Sequence, residues 1–491
     1  MFKEFISKIK KVVANLFSVE SLEEALGIDV EVDEVMLSEI AKWKQMYQDK
    51  PYWADEDTET LNLPATISSE IARLVTLELS GAVSPAQTEG EAIRVSEHIE
   101  NINEMFQKAV MEDIKANVEY SCALGGGVLK PYIAGNQISV SFYLADEFIP
   151  IRFDSNGQLV GVVFPETKKI GDKIYTKLEY HDIEQVEFLN EKTNEVKKVE
   201  NVVVIRNYCF VKDNDYVEGY GKPVSFEEVP EWAGIETEAV FQGVTKPLFG
   251  YIRMPSANQI EMGNELGVSV FSKAEKLIRL ADETWSQDRQ EFRRSEKKTF
   301  VDEAMIRRDK HGNYVDVPNV ISVLDTGEPG FYKEFNPEIR HEAYSTKLNE
   351  VLRRVEFNTS LAYGTLSRVE DVAKTATEIK ASRQRSFALI ADIQKALENA
   401  LIDVVDAMVI WYKVLYNVSK VEDYQISFDF DDSLVVDNET EQKVYLLEVQ
   451  AGIRTVESYL KEMYNYTDEQ IKETIPGMDL EVNKSDYDDM E

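Results

Sequence analysis

The sequence predicts an α+β protein that is mainly helical and carries one β-rich unit. Long segments in which apolar residues recur every three or four positions predict helices up to about residue 124 and again from about residue 263. Between them lie short strand-like runs separated by turn signals. The chain has 491 residues, 43% of them hydrophobic, which is enough for a packed core divided among about two to four domains.

The charge of the chain disfavours several classes of function. The net charge is −36, from 90 acidic and 54 basic residues. Such a surface repels phosphate backbones, which disfavours sequence-specific DNA binding and RNA scaffolding, although it suits a surface past which DNA slides without sticking. Cys122 and Cys209 are predicted to be buried reduced thiols. The four histidines stand in no metal spacing, so we expect neither a metal nor a cofactor.

The helical base is expected over residues 1–124. The N-terminal "MFKEFISKIKKVVANLF" predicts a basic amphipathic helix, which would be either a docking arm or a helix on a membrane surface. No apolar run is long enough to span a bilayer. "LPATISSEIARLVTLELSGAV" predicts one helix from Leu63 to Val83. "EHIENINEMFQKAVMEDIKANVEYSCAL" predicts a second long helix, which the three glycines from Gly125 end.

The β-rich unit is expected over residues 125–250. Its strand-like runs are "QISVSFYLADEFIPIRFD", "QLVGVVFPE", "KIYTKLEYHD" and "VVVIRNYCFV", and "DSNGQ" and "IGDK" read as turns between them. The glycine run lacks the Lys-Ser/Thr of a P-loop and follows a helix, so we interpret it as a plain turn.

The part of the chain after residue 263 predicts three helices with two interruptions. The first helix, within 263–298, carries an apolar stripe, and its candidate packing residues are Phe271, Leu277, Trp285 and Phe292. A strand-turn unit follows over 299–336. The second helix, 337–360, opens with Asn336 as cap and Pro337 at its first position. After the small and charged residues of "YGTLSRVEDVAKTATEI", the third helix runs over 376–415.

Charge is unevenly distributed along the chain. The C-terminal 416–491 predicts one strand and two short helices, and residues 421–491 hold 20 acidic and 5 basic residues. Residues 267–385 instead hold 21 basic and 20 acidic residues, a net charge of +1. A near-neutral centre therefore lies between acidic ends.

This order of parts resembles the portal protein of tailed bacteriophages, in the SPP1/A118-like branch. The resemblance covers essentially the whole chain, and its most telling stretches are "QEFRRSEKKTFVDEAM", "FYKEFNPEIRHEAY" and "KTATEIKASRQR". It implies a portal fold with a wing (1–262), a first stem helix (263–298), a clip (299–336), a second stem helix (337–360), a tunnel loop (361–375), a long wing helix (376–415) and an acidic crown (416–491).

The resemblance also implies function and partners. Members of this family form a ring, expected to be a dodecamer, at one capsid vertex, through which double-stranded DNA is packaged and ejected. The implied partners are other copies of the chain, the major capsid and scaffolding proteins, the terminase large subunit, a head–tail adaptor and DNA bound without sequence specificity; no membrane is involved. We expect the protein in the virion, and in the host cytoplasm during assembly.

The tunnel loop supplies candidate DNA contacts at Ser367, Arg368, Glu370, Asp371 and Lys374. Gly364 and Ser367 would permit motion of the loop. The two basic residues would contact DNA phosphates, and the two acidic residues would keep the affinity for DNA low. The alternative is an ordinary interhelical connection with solvated charges.

The clip supplies candidate contacts at Arg307, Arg308 and Lys310. They would touch DNA or the motor protein, or else form a solvated turn tip.

Two other functions remain open from the sequence. One is another structural head–tail connector or minor head protein. The other is a hydrolase that uses paired carboxylates, but with 90 acidic residues such pairs occur by chance, and no GxSxG motif is present. The chain also has no Walker A sequence, so transport would need a separate ATPase. We therefore expect a protein that is not an enzyme.

Overall fold

The computed structural model describes most of the chain. The chain divides into two compact units, Met1–Phe430 and Asp431–Glu491. The described residues are 19–27, 34–86, 96–189, 196–213, 219–295, 298–302, 309–311, 321–324, 332–335, 338–368, 376–430, 447–449, 455–456 and 458–460. In the second unit, residues 447–449 and 458–460 are helical. The first unit contains both helices and sheets, as predicted.

The N-terminal part of the first unit is helical with one strand. Its elements are α1 (Val19–Leu26), α2 (Glu34–Tyr47), α3 (Leu63–Val75), β1 (Ser80–Pro85), α4 (Glu97–Phe106), a π-helical turn (Gln107–Met111) and α5 (Ile114–Leu124). The prediction of one helix from Leu63 to Val83 was correct only for its first part. The helix α3 ends at Val75, and the residues from Ser80 onward form β1. The second long helix is likewise interrupted by the π-helical turn.

The β-rich unit contains two sheets. Its strands are β2 (Gly126–Ala134), β3 (Gln137–Leu144), β4 (Ile149–Phe153), β5 (Leu159–Ile170), β6 (Lys173–Leu189), β7 (Val196–Lys212), β8 (Lys222–Pro223), β9 (Glu238–Gln242) and β10 (Gly250–Arg253). One sheet has the order β10-β2-β3, and the other β4-β5-β6-β7-β8 with β9 also paired to β7. Gly125 ends α5 with a φ of +90°, and a Cβ there would lie 2.4 Å from the Gly267 carbonyl oxygen, so only glycine fits.

A helical hairpin follows the β-rich unit. It consists of α6 (Glu275–Arg294) and α7 (His341–Asn358), and a small sheet of β11 (Lys298–Asp302), β12 (Ile321–Leu324) and β13 (Tyr332–Phe335) lies between them in the chain. β11 is central, parallel to β12 and antiparallel to β13. Both helices lie within the segments predicted for them, but each is shorter at both ends.

The long helix α8 (Ala376–Tyr416) closes the core, and β14 (Tyr424–Asp429) follows it. Residues of α8 spaced three and four apart are fully buried in the main core: Ile393, Leu397, Leu401, Val404 and Met408. β14 pairs antiparallel with β1, from Ser80↔Asp429 to Pro85↔Tyr424. Within the described ranges, no helix has the length and apolarity that crossing a bilayer requires.

Candidate functional site

The helical hairpin is antiparallel and is held at both ends. At one end, the Arg340 Nη2 lies 2.7 Å from the Glu291 Oε2, and the His341 Nδ1 lies 3.1 Å from the Asp288 Oδ2. At the other end, the Asn358 side-chain amide donates to the Lys273 carbonyl oxygen at 3.2 Å. The hydrogen bonds from Arg340 lower the pKa of Glu291 to about 2. The charged pair stays ionised over the physiological pH range.

The inner face of α6 is polar, because residues 53–61 lie along it. The buried Asp282 accepts hydrogen bonds from the Trp53 indole N–H and the Leu61 backbone N–H, each at 2.9 Å. One turn further, the Ser286 hydroxyl accepts from the Glu59 N–H at 2.8 Å. Burial raises the pKa of Asp282. These bonds fasten the hairpin to the helical part of the chain.

The side of α6 next to α7 carries two aromatic residues that are only partly covered: Trp285 lines a cavity between the two helices, and the Phe292 ring lies 5.5 Å from the His341 ring of α7. Trp285 is 37% exposed and Phe292 is 46% exposed, and the two lie seven positions apart on one side of the helix. The other two candidate packing residues differ. Phe271 is fully buried just before α6, and Leu277 is partly buried against the main core.

A cavity of about 210 Å³ lies between α6, α7 and the start of the connection to α8. Its lining combines apolar and charged side chains: Thr284, Trp285, Asp288, His341, Tyr344, Ser345, Leu348, Asn349, Leu352, Leu366 and Arg368.

The connection from α7 to α8 starts as an ordered arm, residues 361–368, bound to α7. The Glu356 carboxylate is buried on α7 and accepts three backbone N–H groups at its Oε1: Gly364 at 3.1 Å, Leu366 at 2.6 Å and Ser367 at 2.8 Å. Its Oε2 accepts the Ser367 hydroxyl at 2.8 Å. The arm is therefore attached to α7 through the Glu356 side chain, and backbone N–H groups of the arm surround its carboxylate.

Two further contacts hold the arm. The Asn349 side-chain oxygen, about two helical turns from Glu356 on α7, accepts the Arg368 backbone N–H at 2.7 Å. The Arg385 guanidinium of α8 lies 4.3 Å from the Phe357 ring and 5.5 Å from the Tyr363 ring. The arm is thus in contact with both helices that it connects.

The predicted loop residues fall into three groups. Ser367 is 6% exposed and bonded to Glu356, so a contact with DNA would require that bond to break. Arg368 is exposed at the end of the arm. Glu370, Asp371 and Lys374 lie outside the described residues.

Among the predicted clip contacts, Lys310 lies exposed in a turn at 309–311, where the His311 N–H donates to the Asp309 carboxylate. Arg307 and Arg308 lie outside the described residues.

The sequence did not reveal Glu356, Asn349 or Asp282. Each is a polar residue on an amphipathic helix, where polar residues are usually solvated. The one available signal was indirect: these residues sit among apolar neighbours on the helix surface, and buried polar groups are retained where they bind backbone groups.

A second charged cluster, in which Lys130 and His181 are buried and Glu179 is partly buried, joins the two sheets of the β-rich unit. The Lys130 ammonium of β2 lies 2.7 Å from the Glu179 Oε1 of β6, and the His181 Nε2 lies 2.8 Å from the same oxygen. Burial lowers the pKa of His181. Burial works against the Glu179 carboxylate, but the charge of Lys130 and the hydrogen bond from His181 outweigh it and hold the pKa of Glu179 well below its usual range.

The chemistry of the remaining candidates is limited. Both cysteines are buried and free, as predicted. In the part of the chain that the structure describes, no group of three His, Cys, Asp or Glu side chains is placed to hold a metal ion.

Comparison with known proteins identifies the family. A family model described as "Phage portal protein, SPP1 Gp6-like" matches residues 31–475. No curated protein gives a significant match. Among solved structures, the chain is similar to one described as "Neck of native GTA particle computed with C12 symmetry", at 11% identity over 83% of this chain and 92% of that chain, with a TM-score of 0.35. That score is too low to carry an argument. Because the family model spans nearly the whole chain, the protein belongs to the SPP1 Gp6-like family of phage portal proteins.

Proposed function

We propose that the protein forms a closed ring at one capsid vertex and that double-stranded DNA passes through this ring during packaging and ejection. Membership of the portal family supports a portal role. The observation that carries the ring is the pair Trp285 and Phe292 on α6, which border α7 and remain 37% and 46% exposed in the single chain. Large aromatic side chains on one helix face are typical of surfaces that a partner covers.

The partner for this face is a neighbouring copy of the chain. A ring requires each subunit to present two different complementary surfaces, so that the contact is heterologous and closes on itself. We propose twelve subunits, on the family resemblance. The hairpin α6–α7 would form the stem, β11–β13 the clip, and residues 361–375 the tunnel loop.

The charge of the chain supports passage of DNA rather than tight binding. Residues 267–385 carry a net charge of +1 within a chain of −36. Strong basic patches repeated around a ring would hold DNA, because each phosphate contact adds a salt-dependent increment of affinity. We propose that Arg368, exposed at the end of the arm, approaches the phosphates from the channel wall.

The protein is proposed to be a structural component without enzymatic activity. The energy for transport would come from the terminase large subunit, which would dock on the clip before a head–tail adaptor replaces it. The major capsid and scaffolding proteins would surround the wing, in the virion and earlier in the host cytoplasm. The candidate contacts Arg307, Arg308 and Lys310 belong to this docking proposal.

The mass of the purified protein tests the ring. Light scattering at several protein and salt concentrations, followed by negative-stain imaging, should show closed rings of about a dozen subunits with a central hole. A chain that stays monomeric or dimeric, even when it is produced together with its capsid proteins, would contradict the proposal.

A short deletion tests the passage of DNA. Removing residues 369–372 leaves the Glu356-bound arm in place, so rings should form while the yield of DNA-filled particles falls. Filled particles at the wild-type yield would show that this part of the connection has no role in packaging or retention.

A further inference from the structure

We propose that Glu356 is the positioning residue of the connection between α7 and α8. Its buried carboxylate fixes residues 361–368 against α7 as a rigid arm, so that Arg368 is presented at a set place beside the hairpin. This inference rests on the proposed passage of DNA through the ring. It adds a residue that the tunnel-loop prediction did not contain.

The geometry of the arm shows why a carboxylate is needed at this place. The N–H groups of Gly364, Leu366 and Ser367 converge on a single oxygen of Glu356. Successive backbone N–H groups that point to one place form a concavity that attracts an anion. Here the anion in the concavity is the carboxylate of Glu356, from the same chain. Gly364 has a φ of +93°, which glycine adopts without strain and which turns the backbone toward Glu356.

The burial of Glu356 makes the contact decisive for the arm. Glu356 is 0% exposed, and its hydrogen bond with Ser367 is buried while those with Gly364 and Leu366 are partly buried, so a lost carboxylate would leave three N–H groups without their acceptor and with limited access to water. Buried N–H groups without partners are strongly disfavoured, and the arm would open to find water. All four described bonds to the carboxylate come from neutral donors of the arm itself.

The contact also links the arm to the hairpin. Asn349 and Glu356 lie seven positions apart on one side of α7 and hold the arm at two places. The Leu366 and Arg368 side chains then line the cavity together with Trp285 of α6. A displacement of α7 therefore carries the arm with it, whereas an arm without Glu356 would move independently.

The first experiment compares backbone hydrogen exchange in assembled rings of the wild type, Glu356→Ala, Glu356→Gln and Glu350→Ala. Glu350 is an exposed glutamate on the same helix and serves as the matched control. In Glu356→Ala, the amides of residues 364, 366 and 367 should exchange at least about tenfold faster, because their shared acceptor is gone. Glu356→Gln should retain most of the protection, since its amide oxygen can still accept the three N–H groups. Wild-type protection in Glu356→Ala would overturn the proposal.

The second experiment measures packaging by the same variants. Glu356→Ala should form rings but lose DNA-filled particles, Glu356→Gln should restore them, and Glu350→Ala should match the wild type. Normal packaging with a rapidly exchanging arm would show that the position of the arm does not matter. If the wild-type rings themselves support no packaging, the proposed function fails, while the exchange data still decide whether Glu356 holds the arm.

A milder pair of substitutions covers the case in which Glu356→Ala does not fold. Ser367→Ala removes the hydroxyl donor and Asn349→Ala removes the second acceptor, and both leave the three N–H bonds to Glu356. The double variant should show faster exchange at Arg368 and a partial loss of filled particles. Unchanged exchange at Arg368 in that variant would overturn the attachment of the arm at Asn349, and faster exchange with unchanged packaging would overturn the role of the arm's position in packaging.

Discussion

At the scale of single residues, three carboxylates, two of them buried and that of Glu179 partly buried, are stabilised in three different ways. Glu356 is surrounded by neutral N–H and O–H donors, Glu179 is paired with Lys130, and Asp282 accepts one indole and one backbone N–H. Removal of each of these carboxylates by substitution would leave a different set of donors or charges without a partner. The three sites therefore differ in what a substitution at each of them should change.

Asp282 should contribute to the stability of the folded chain. In Asp282→Ala, the Trp53 indole N–H and the Leu61 N–H lose their acceptor, so the free energy of unfolding should fall by about 1–3 kcal/mol. Thermal unfolding followed by circular dichroism measures this. Gln287→Ala, at an exposed position on the same helix, should leave the midpoint unchanged. Equal midpoints for Asp282→Ala and the wild type would show that residues 53–61 do not depend on this carboxylate.

The stability of the β-rich unit should fall in acid through His181 and Glu179. The pKa of His181 is lowered from 6.5 by burial, so the unfolded chain takes up a proton near pH 6.5 that the folded chain does not. The pKa of Glu179 is lowered from 4.5, so the stabilisation that it gives above that pH is lost as the pH falls further. The titrations of His181 and Glu179 therefore both lower the free energy of unfolding as the pH falls.

The His181 part of this dependence can be isolated. Between pH 7.5 and 5.5, the wild type should lose about 1 kcal/mol more stability than His181→Gln, because glutamine does not titrate. Denaturant unfolding at the two pH values gives the difference. His311→Gln, in the exposed turn at 309–311, is the matched control and should behave as the wild type. Parallel losses in the wild type and His181→Gln would refute the assignment.

At the scale of elements, the sequence predicted the long helices well and the long-range pairings poorly. The apolar period placed α8 to within one residue of its observed end, and it placed α6 and α7 inside their predicted segments. It missed β1 because the partner of this strand, β14, lies more than 300 residues later. Pairing of distant strands can override local helical preference, and no local pattern reveals it.

The candidate site shows the same limit. The sequence located the interruption between α7 and α8 and proposed mobility at Gly364 and Ser367, because both residue types favour loops. It could not show that their N–H groups meet on Glu356, since that contact depends on how the chain turns back along α7. Single residues of a loop can be predicted by type, but their partners follow from tertiary packing.

The contact between β10 and α8 should depend on Gly250. A Cβ at this position would lie 2.2 Å from the Ala400 carbonyl oxygen, which is helix backbone and cannot give way. Gly250→Ala should therefore lower the free energy of unfolding by about 1–3 kcal/mol, as overpacked cores do. Gly234→Ala is the control, since a Cβ there meets nothing within 4 Å and tests only the cost of its φ of +83°. A smaller loss at Gly250 than at Gly234 would contradict this packing.

At the scale of the whole molecule, family membership and charge together constrain how the portal protein assembles. A chain with a net charge of −36 repels other copies of itself at long range, so association needs short-range apolar contact. We propose that Trp285 and Phe292 of α6, which are partly exposed in the single chain, supply such a contact. Screening by salt weakens the repulsion and leaves the apolar contact, so rings should form more readily at moderate ionic strength than at low ionic strength.

Trp285→Asp should separate folding from assembly. Because Trp285 is 37% exposed in the single chain, the variant should keep its circular dichroism, and its free energy of unfolding should fall by no more than about 1–3 kcal/mol. In a ring, the same aspartate would be desolvated at every subunit contact without a partner, at a cost of several kcal/mol each. We therefore expect a folded monomer by light scattering.

Gln287→Asp provides the matched control for this variant. It introduces the same charge on the same helix. Gln287 is two residues after Trp285, so its side chain lies about 200° around the helix from that of Trp285. Rings of normal mass should form. If Trp285→Asp also assembles normally, the partly exposed aromatic residues of α6 are not the contact between subunits. If it fails to fold, Trp285→Ala removes the aromatic contact without adding a charge, and a folded Trp285→Ala that still forms rings would exclude Trp285 from that contact.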